Sequence, residues 1–134
     1  MPPTREAIVS KKAPEPIGPY SHAVRMGNVV YTSGQVGLHP ETKALVVGGI
    51  TPESRQTMEN LKNILESAGS GLDQVIKCTV FLVDIKEFPE VNRVYAEYFS
   101  KDPPARSCIQ VGRLPLDARV EIEAIALTRE GAGS

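Results

Sequence analysis

Arg119-Val120-Glu121-Ile122-Glu123-Ala124-Ile125-Ala126-Leu127-Thr128 is the stretch from which the architecture can be worked out. Side chains alternate across a strand, so Val120, Ile122, Ala124 and Ala126 share one wholly apolar face. The other face carries Arg119, Glu121, Glu123, Ile125 and Leu127, and passes from charged to apolar along its length. A face meant for water rarely does that. The run predicts a strand packed on a core by its first face. Ile125 and Leu127 then belong in a subunit interface, with the two carboxylates at its edge.

A second strand of similar strength spans 75–83. There Ile76, Cys78, Val80 and Leu82 form an apolar set, opposite a mixed set of Lys77, Thr79 and Phe81. Two helices flank it. Thr51 and Pro52 open the first, as N-cap and first helical residue. Met58, Leu61, Ile64, Leu65 and Ala68 recur every three or four residues, and Gly69 is placed to end the helix. The second helix is expected over 89–100, with Val91, Val94, Tyr95, Tyr98 and Phe99 on one side. Shorter strands are expected at 7–10, 23–26, 29–33 and 106–111, the middle pair joined by a tight turn at Gly27-Asn28. Prolines 14, 16 and 19 stiffen the loop over 13–20.

The order is strands, helix, strand, helix, strands. It predicts one α+β domain over 1–134, ordered over about 8–128, with a flexible tail at 129–134. The sheet is antiparallel or mixed, with two helices packed on one face. The other face then needs solvent or another subunit.

Composition excludes several classes of function. The 134 residues suffice for a self-supporting core without a disulfide or metal staple. A net charge of −1 gives no field to attract nucleic acid or acidic membrane, and 5% aromatics without Trp make a poor base-stacking platform. Cys78 and Cys108 read as reduced thiols, and neither has a Cys or His at metal-ligand spacing. No metal and no cofactor are therefore expected. No apolar run approaches the ~20 residues of a spanning helix, and residues 1–5 lack a signal-peptide core. The expectation is a soluble protein of the cytoplasm, with the mitochondrial matrix as the alternative.

Few residues offer chemistry. Arg106 follows two prolines at the start of a strand and shares a face with Cys108 and Gln110. It suits a bidentate carboxylate pair, or equally a surface or intersubunit role. Glu121 and Glu123 lie two apart, where mutual repulsion and burial would raise a carboxyl pKa, unless both are solvated. Tyr20 either closes over a ligand or packs its loop onto the sheet. Ser33 and Gly34 offer a hydroxyl and close backbone approach, or only a turn. Asn92 faces a ligand or, more simply, water. His22 and His39 read as structural, and Cys108 has no histidine to activate it.

Four motifs in this order are more specific together than any alone: Ile17-Gly18-Pro19-Tyr20-Ser21, Thr32-Ser33-Gly34-Gln35, Pro104-Ala105-Arg106-Ser107-Cys108 and Val120-Glu121-Ile122-Glu123-Ala124-Ile125-Ala126. With Asp84 and Val91-Asn92, the chain resembles the RidA/YjgF family of reactive imine deaminases over about 8–128. The resemblance implies a chorismate-mutase-like α+β fold, a homotrimer and sites in clefts between subunits. It implies hydrolysis of 2-aminoacrylate and 2-aminocrotonate, or their imine tautomers, to 2-keto acids and ammonia. By motif, Arg106 would bind the substrate carboxylate and Glu121 would handle water and protons. Tyr20, Ser33, Gly34, Asn92 and Cys108 would line the cleft. The chain departs from the family at Gln110 and in the 37–50 loop. The runner-up is a translation inhibitor with endoribonuclease activity, which the charge balance argues against. A third reading is a non-catalytic binder using the same cleft.

Overall fold

The computed structural model describes residues 4–132, with side chains for 4–130. Its elements in chain order are β1 (Arg5–Ile8), β2 (Ala23–Met26), β3 (Val29–Thr32), α1 (Ile50–Ser67), β4 (Val75–Leu82), α2 (Phe88–Tyr98), β5 (Ala105–Gln110), β6 (Val120–Leu127) and a short α3 (Arg129–Ala132). The strands form one sheet in the order β1-β2-β3-β6-β4-β5. Neighbours run antiparallel except β4 and β5, which are parallel. A parallel pair needs a long crossover, and α2 supplies it. The fold is α+β with a mixed sheet and two long helices, as the element order predicts.

The core lies between the helices and one sheet face. Met58, Leu61, Ile64 and Leu65 of α1 are buried against Cys78, Val80 and Leu82 of β4 and Val120, Ile122, Ala124 and Ala126 of β6. The opposite set of β6, Glu121, Glu123, Ile125 and Leu127, is half-buried throughout. Ile125 pairs with Tyr31 and Lys77, and Glu121 with Phe81, so these side chains share the helix-free face. Tyr31 there is 49% exposed.

Several boundaries move, each for a physical reason. The first strand ends at Ile8 rather than running to residue 10, because the Ser10 N–H is taken by Nδ1 of His22 at 2.9 Å and is lost to any ladder. The first helix starts at Ile50, one residue before the expected cap. Gly48 and Gly49, with φ of 117° and 90°, turn the chain into it, and Gly49 serves as N-cap without a side-chain bond. Thr51 lies inside the helix. Gly69, at φ 79°, ends it as expected. In β4 a register shift between Val75 and Lys77 pushes Ile76 out of the apolar set, leaving it 46% exposed. The stretch expected as a tail opens with α3, whose neighbour-facing Arg129 pairs with Asp73 at 3.0 Å. The rest of that tail, 133–134, and residues 1–3 lie outside the described residues. Among the described residues no helix is long and apolar enough to cross a membrane.

One polar side chain in the core sets the path of the chain after β3. Asn60 of α1 is fully buried. Its amide donates to the carbonyls of Val36 at 3.1 Å and Leu38 at 2.9 Å, and its oxygen accepts from Gln56 at 2.9 Å. A buried carbonyl without a donor costs about 1–3 kcal/mol. Asn60→Leu keeps the volume but leaves the Leu38 carbonyl without its donor and Gln56 without its acceptor, while the Val36 carbonyl still accepts the Leu38 N–H. It should lower the unfolding free energy by about 1–3 kcal/mol, read as a lower urea midpoint, whereas Glu66→Ala on the exposed side of the same helix should change it little.

Candidate active site

The segment held by Asn60 forms one wall of a cavity of about 330 Å³. Gln35 bridges to Ile122 through backbone bonds of 2.9 and 3.0 Å, which draws residues 33–38 alongside the start of β6. Glu121 faces the cavity between that segment and the proline-stiffened loop. A Cβ on Gly34 would come within 2.7 Å of the Glu121 carboxyl carbon, so only glycine lets the carboxylate rest there. Among the described residues none donates a hydrogen bond to this carboxylate. Burial first, and the charge of Glu123 second, push its pKa above the ordinary glutamate range.

Tyr20 and Ser33 line the same cavity. The Tyr20 hydroxyl accepts from the Ile17 N–H at 3.3 Å, which curls the loop over the opening. The Ser33 hydroxyl donates to the Ser21 carbonyl at 2.6 Å and keeps its lone pairs for an incoming donor. The loop is anchored below by His22, which is 1% exposed: Nδ1 accepts from Ser10, and Nε2 lies 2.6 Å from the Pro14 carbonyl, to which it donates. His22 is thus structural, as read. His39 caps a surface turn by accepting the Glu41 N–H at 3.2 Å.

Arg106 stands elsewhere. Register pairs it with Cys78, whose side chain is in the core, so Arg106 points to the helix-covered face at the β5 edge. Its guanidinium carbon lies 4.8 Å from the ring centre of Tyr95 and 5.1 Å from that of Phe88. Nη1 donates to the Asn92 carboxamide oxygen at 2.8 Å. Asn92 therefore holds the arginine instead of simply facing water. Phe88, Asn92 and Tyr95 follow one another at four and three residues along α2, which is the signal that would have identified this cage in the sequence. Among the described residues no carboxylate pairs with Arg106, whose guanidinium is held by α2 alone. Cys108, two residues on, is half-buried. Burial pushes its thiol pKa up, only partly offset by Arg106, which favours the thiol over the thiolate.

Glu121, Tyr20, Ser33 and Gly34 thus gather around one cavity, and Arg106 with Asn92 lines another, of about 430 Å³. Strand β4 lies between their strands, and three residues of register separate them along it. Strand spacing and rise put their Cα atoms roughly 14 Å apart, on opposite faces of the sheet. One protomer does not bring its arginine and its glutamate to a single small molecule. Among the described residues no group of three or more His, Cys, Asp or Glu side chains is placed to hold a metal ion.

Comparison with known proteins gives this geometry a setting. The family model described as Endoribonuclease L-PSP matches residues 10–128. The chain is 51% identical over 124 residues to RutC family protein UK114 of Drosophila melanogaster, covering 92% of this chain and 90% of that one. It is 48% identical over 123 residues to the 2-iminobutanoate/2-iminopropanoate deaminase of Mus musculus, covering 92% and 91%. The crystal structure of E. coli TdcF with bound serine superposes with a TM-score of 0.87 at 40% identity, covering 91% and 98%. With four sequence motifs, a shared fold and a match over nearly its whole length, the chain belongs to the RidA/YjgF family.

Proposed function

We propose that this protein hydrolyses reactive enamines and imines of 2-amino acids, releasing a 2-keto acid and ammonia. The observation that carries the reading is the caged Arg106, whose fork has no carboxylate of its own among the described residues. A small 2-imino acid has one permanent charge, its carboxylate, and a planar guanidinium binds it by two parallel bonds. The name of the mouse relative and the serine in TdcF support a substrate of this size.

The imine carbon beside a carboxylate is already electrophilic. Water adds to it, giving a carbinolamine; its C–N bond then breaks and ammonia leaves as the carbonyl forms. Glu121 carries two protons to the nitrogen in turn, the first from the attacking water as the carbinolamine forms and the second from its hydroxyl as the C–N bond breaks. A raised pKa suits a group that must hold a proton in both directions near neutral pH. The same carboxyl supplies the proton that turns an enamine into its imine. Tyr20, Ser33 and the Gly34 backbone order the water and the amino group. The positions that need a partner for Arg106 and Glu121 come from two copies: the helix-free face, with Tyr31 and Ile125, packs in a trimer, and each site takes its arginine and its glutamate from different subunits. Cytoplasm is the proposed compartment, with the mitochondrial matrix as the alternative. Ribonuclease activity, which the description of the family model suggests, is the second reading.

The direct test generates the imine with a pyridoxal-phosphate threonine dehydratase and follows 2-oxobutanoate. Acceleration by this protein is expected, unchanged after exhaustive chelation; no acceleration, or cleavage of single-stranded RNA at a greater efficiency, would displace the reading. Arg106→Ala should lower kcat/KM roughly thirty- to several-thousand-fold, since an unpaired desolvated charge costs about 2–5 kcal/mol, and Arg106→Lys should recover part. Mixing inactive Arg106→Ala with inactive Glu121→Gln, with subunit exchange, should restore up to about a quarter of parent activity if sites are shared between copies, and none if each chain carries its own site.

Glu121→Gln should also separate activity from stability. Its carboxyl binds a proton more tightly folded than unfolded, so folding disfavours the charged form. That burden is absent well below the ordinary value of 4.5, grows as pH rises through the folded pKa, and is complete above it. Glu121→Gln should therefore melt higher than the parent at pH 7 while losing turnover, with the gap in Tm closing as the pH falls toward 4.5.

A further inference from the structure

One buried charged group takes no part in the reaction above. Glu53, in the first turn of α1, is 3% exposed. Its Oε1 accepts the backbone N–H of Arg119 at 2.8 Å, and its Oε2 lies 3.6 Å from Arg119 Nε. The half-exposed Arg119 guanidinium continues outward to Glu87, just before α2, at 3.1 Å. Burial pushes the Glu53 pKa up, and Arg119 works against that rise. A buried ion pair is a poor way to gain stability, because desolvation cancels much of the attraction. Its value here lies in what it touches.

Arg119 is the last residue before β6, two positions ahead of Glu121. The Glu53 backbone also abuts Gly37, where a Cβ would fall 2.8 Å from the Glu53 carbonyl oxygen. Gly37 belongs to the segment that pairs with Ile122 through Gln35 and supplies Gly34, the wall beside the Glu121 carboxylate. A single turn of α1 therefore touches both the strand that bears Glu121 and the segment that boxes it in. The Arg119 contact goes to the backbone, so it fixes the entry of the strand and not merely a surface side chain.

We infer that Glu53 is a positioning residue for Glu121: its carboxylate oxygen clamps the backbone at the start of β6 against α1, and so sets how deeply the Glu121 carboxyl sits beside Gly34. The inference deepens the proposed deaminase reading and rests on it for its rate measurement. Its geometric half is read independently, from the titration of the Glu121 carboxyl, whose surroundings also hold Glu15, Tyr20 and Glu123.

Three full-length variants separate the parts. Glu53→Leu removes the acceptor. Glu53→Gln keeps a carbonyl oxygen for the Arg119 N–H and drops the charge. Arg119→Ala keeps the backbone N–H and drops the ion pair. Turnover is measured on imine generated in place, and Glu121 is titrated by carbon-13 NMR, its signal assigned by its loss in Glu121→Gln. Glu53→Leu should lower kcat about ten- to a hundredfold, the scale of an ångström of misplacement, with KM within about threefold. Its Glu121 titration should move toward the ordinary range. Glu53→Gln and Arg119→Ala should stay within about threefold of parent kcat and keep the parent titration. A Glu53→Leu protein that matches the parent in both measurements overturns the inference, as does an Arg119→Ala protein that behaves like Glu53→Leu. Should Glu53→Leu fail to fold, the other two still decide, because a shifted Glu121 titration in either refutes a clamp made by the oxygen alone. If the parent itself hydrolyses no imine, the reaction is refuted, and the titrations still judge the clamp.

Discussion

Two helices can cover one face of a six-stranded sheet and no more. Everything distinctive about this molecule follows from that limit. The covered face takes the apolar set of β6 and β4 and becomes the core. The uncovered face keeps Tyr31, Ile125 and Phe81 only partly shielded and places two carboxylates among them. Arg106 and Glu121 then fall on opposite sides of the sheet because the register of β4 with its two neighbours leaves no other arrangement. A chemistry that needs both must use more than one copy. The incomplete burial of the sheet and the separation of these two residues thus have one cause.

Polar groups do the fine placement. Asn60 and Glu53, both on α1, each grip backbone as well as a side chain. Such bonds fix the path of the chain to within the tolerance of a hydrogen bond, which apolar packing alone does less sharply. The arginine is held differently, by two ring faces and one amide oxygen, all from α2. Both devices spend the conformational freedom of a functional group at folding, so that less remains to be lost when a ligand arrives.

Much of this was legible in the residues. The stripes of both helices, the alternation of β6, the hairpin at Gly27-Asn28 and the stop at Gly69 are local patterns, and they fold locally. Glu121 and Arg106 stood out through their motifs. Other features depend on pairing between distant segments. The exposure of Ile76 comes from a register shift against β6, and the burial of Glu53 from meeting a backbone N–H sixty-six residues away. The division of the site residues between two faces is of the same kind. Alternation says which residues of one strand share a side, but only register says which side that is relative to another strand. The aromatic cage was visible as spacing along α2 and was hidden by a simpler role, since Tyr95 also serves the core.

The strand order carries a consequence for how the molecule comes into being. Among the described residues β6 is the last strand in chain order, yet it lies in the middle of the sheet, between β3 and β4. Without it the sheet divides into a three-stranded meander and a β4-β5 pair, linked only through the helices packed on them. Neither piece can close its core, and each presents an open sheet edge to whatever is nearby. The β3–β6 pairs, such as Val29 with Leu127, join residues nearly the whole length of the domain apart, which makes their formation slow relative to local structure. The sheet is therefore completed only when β6 joins its neighbours, and Glu121 arrives on that same strand.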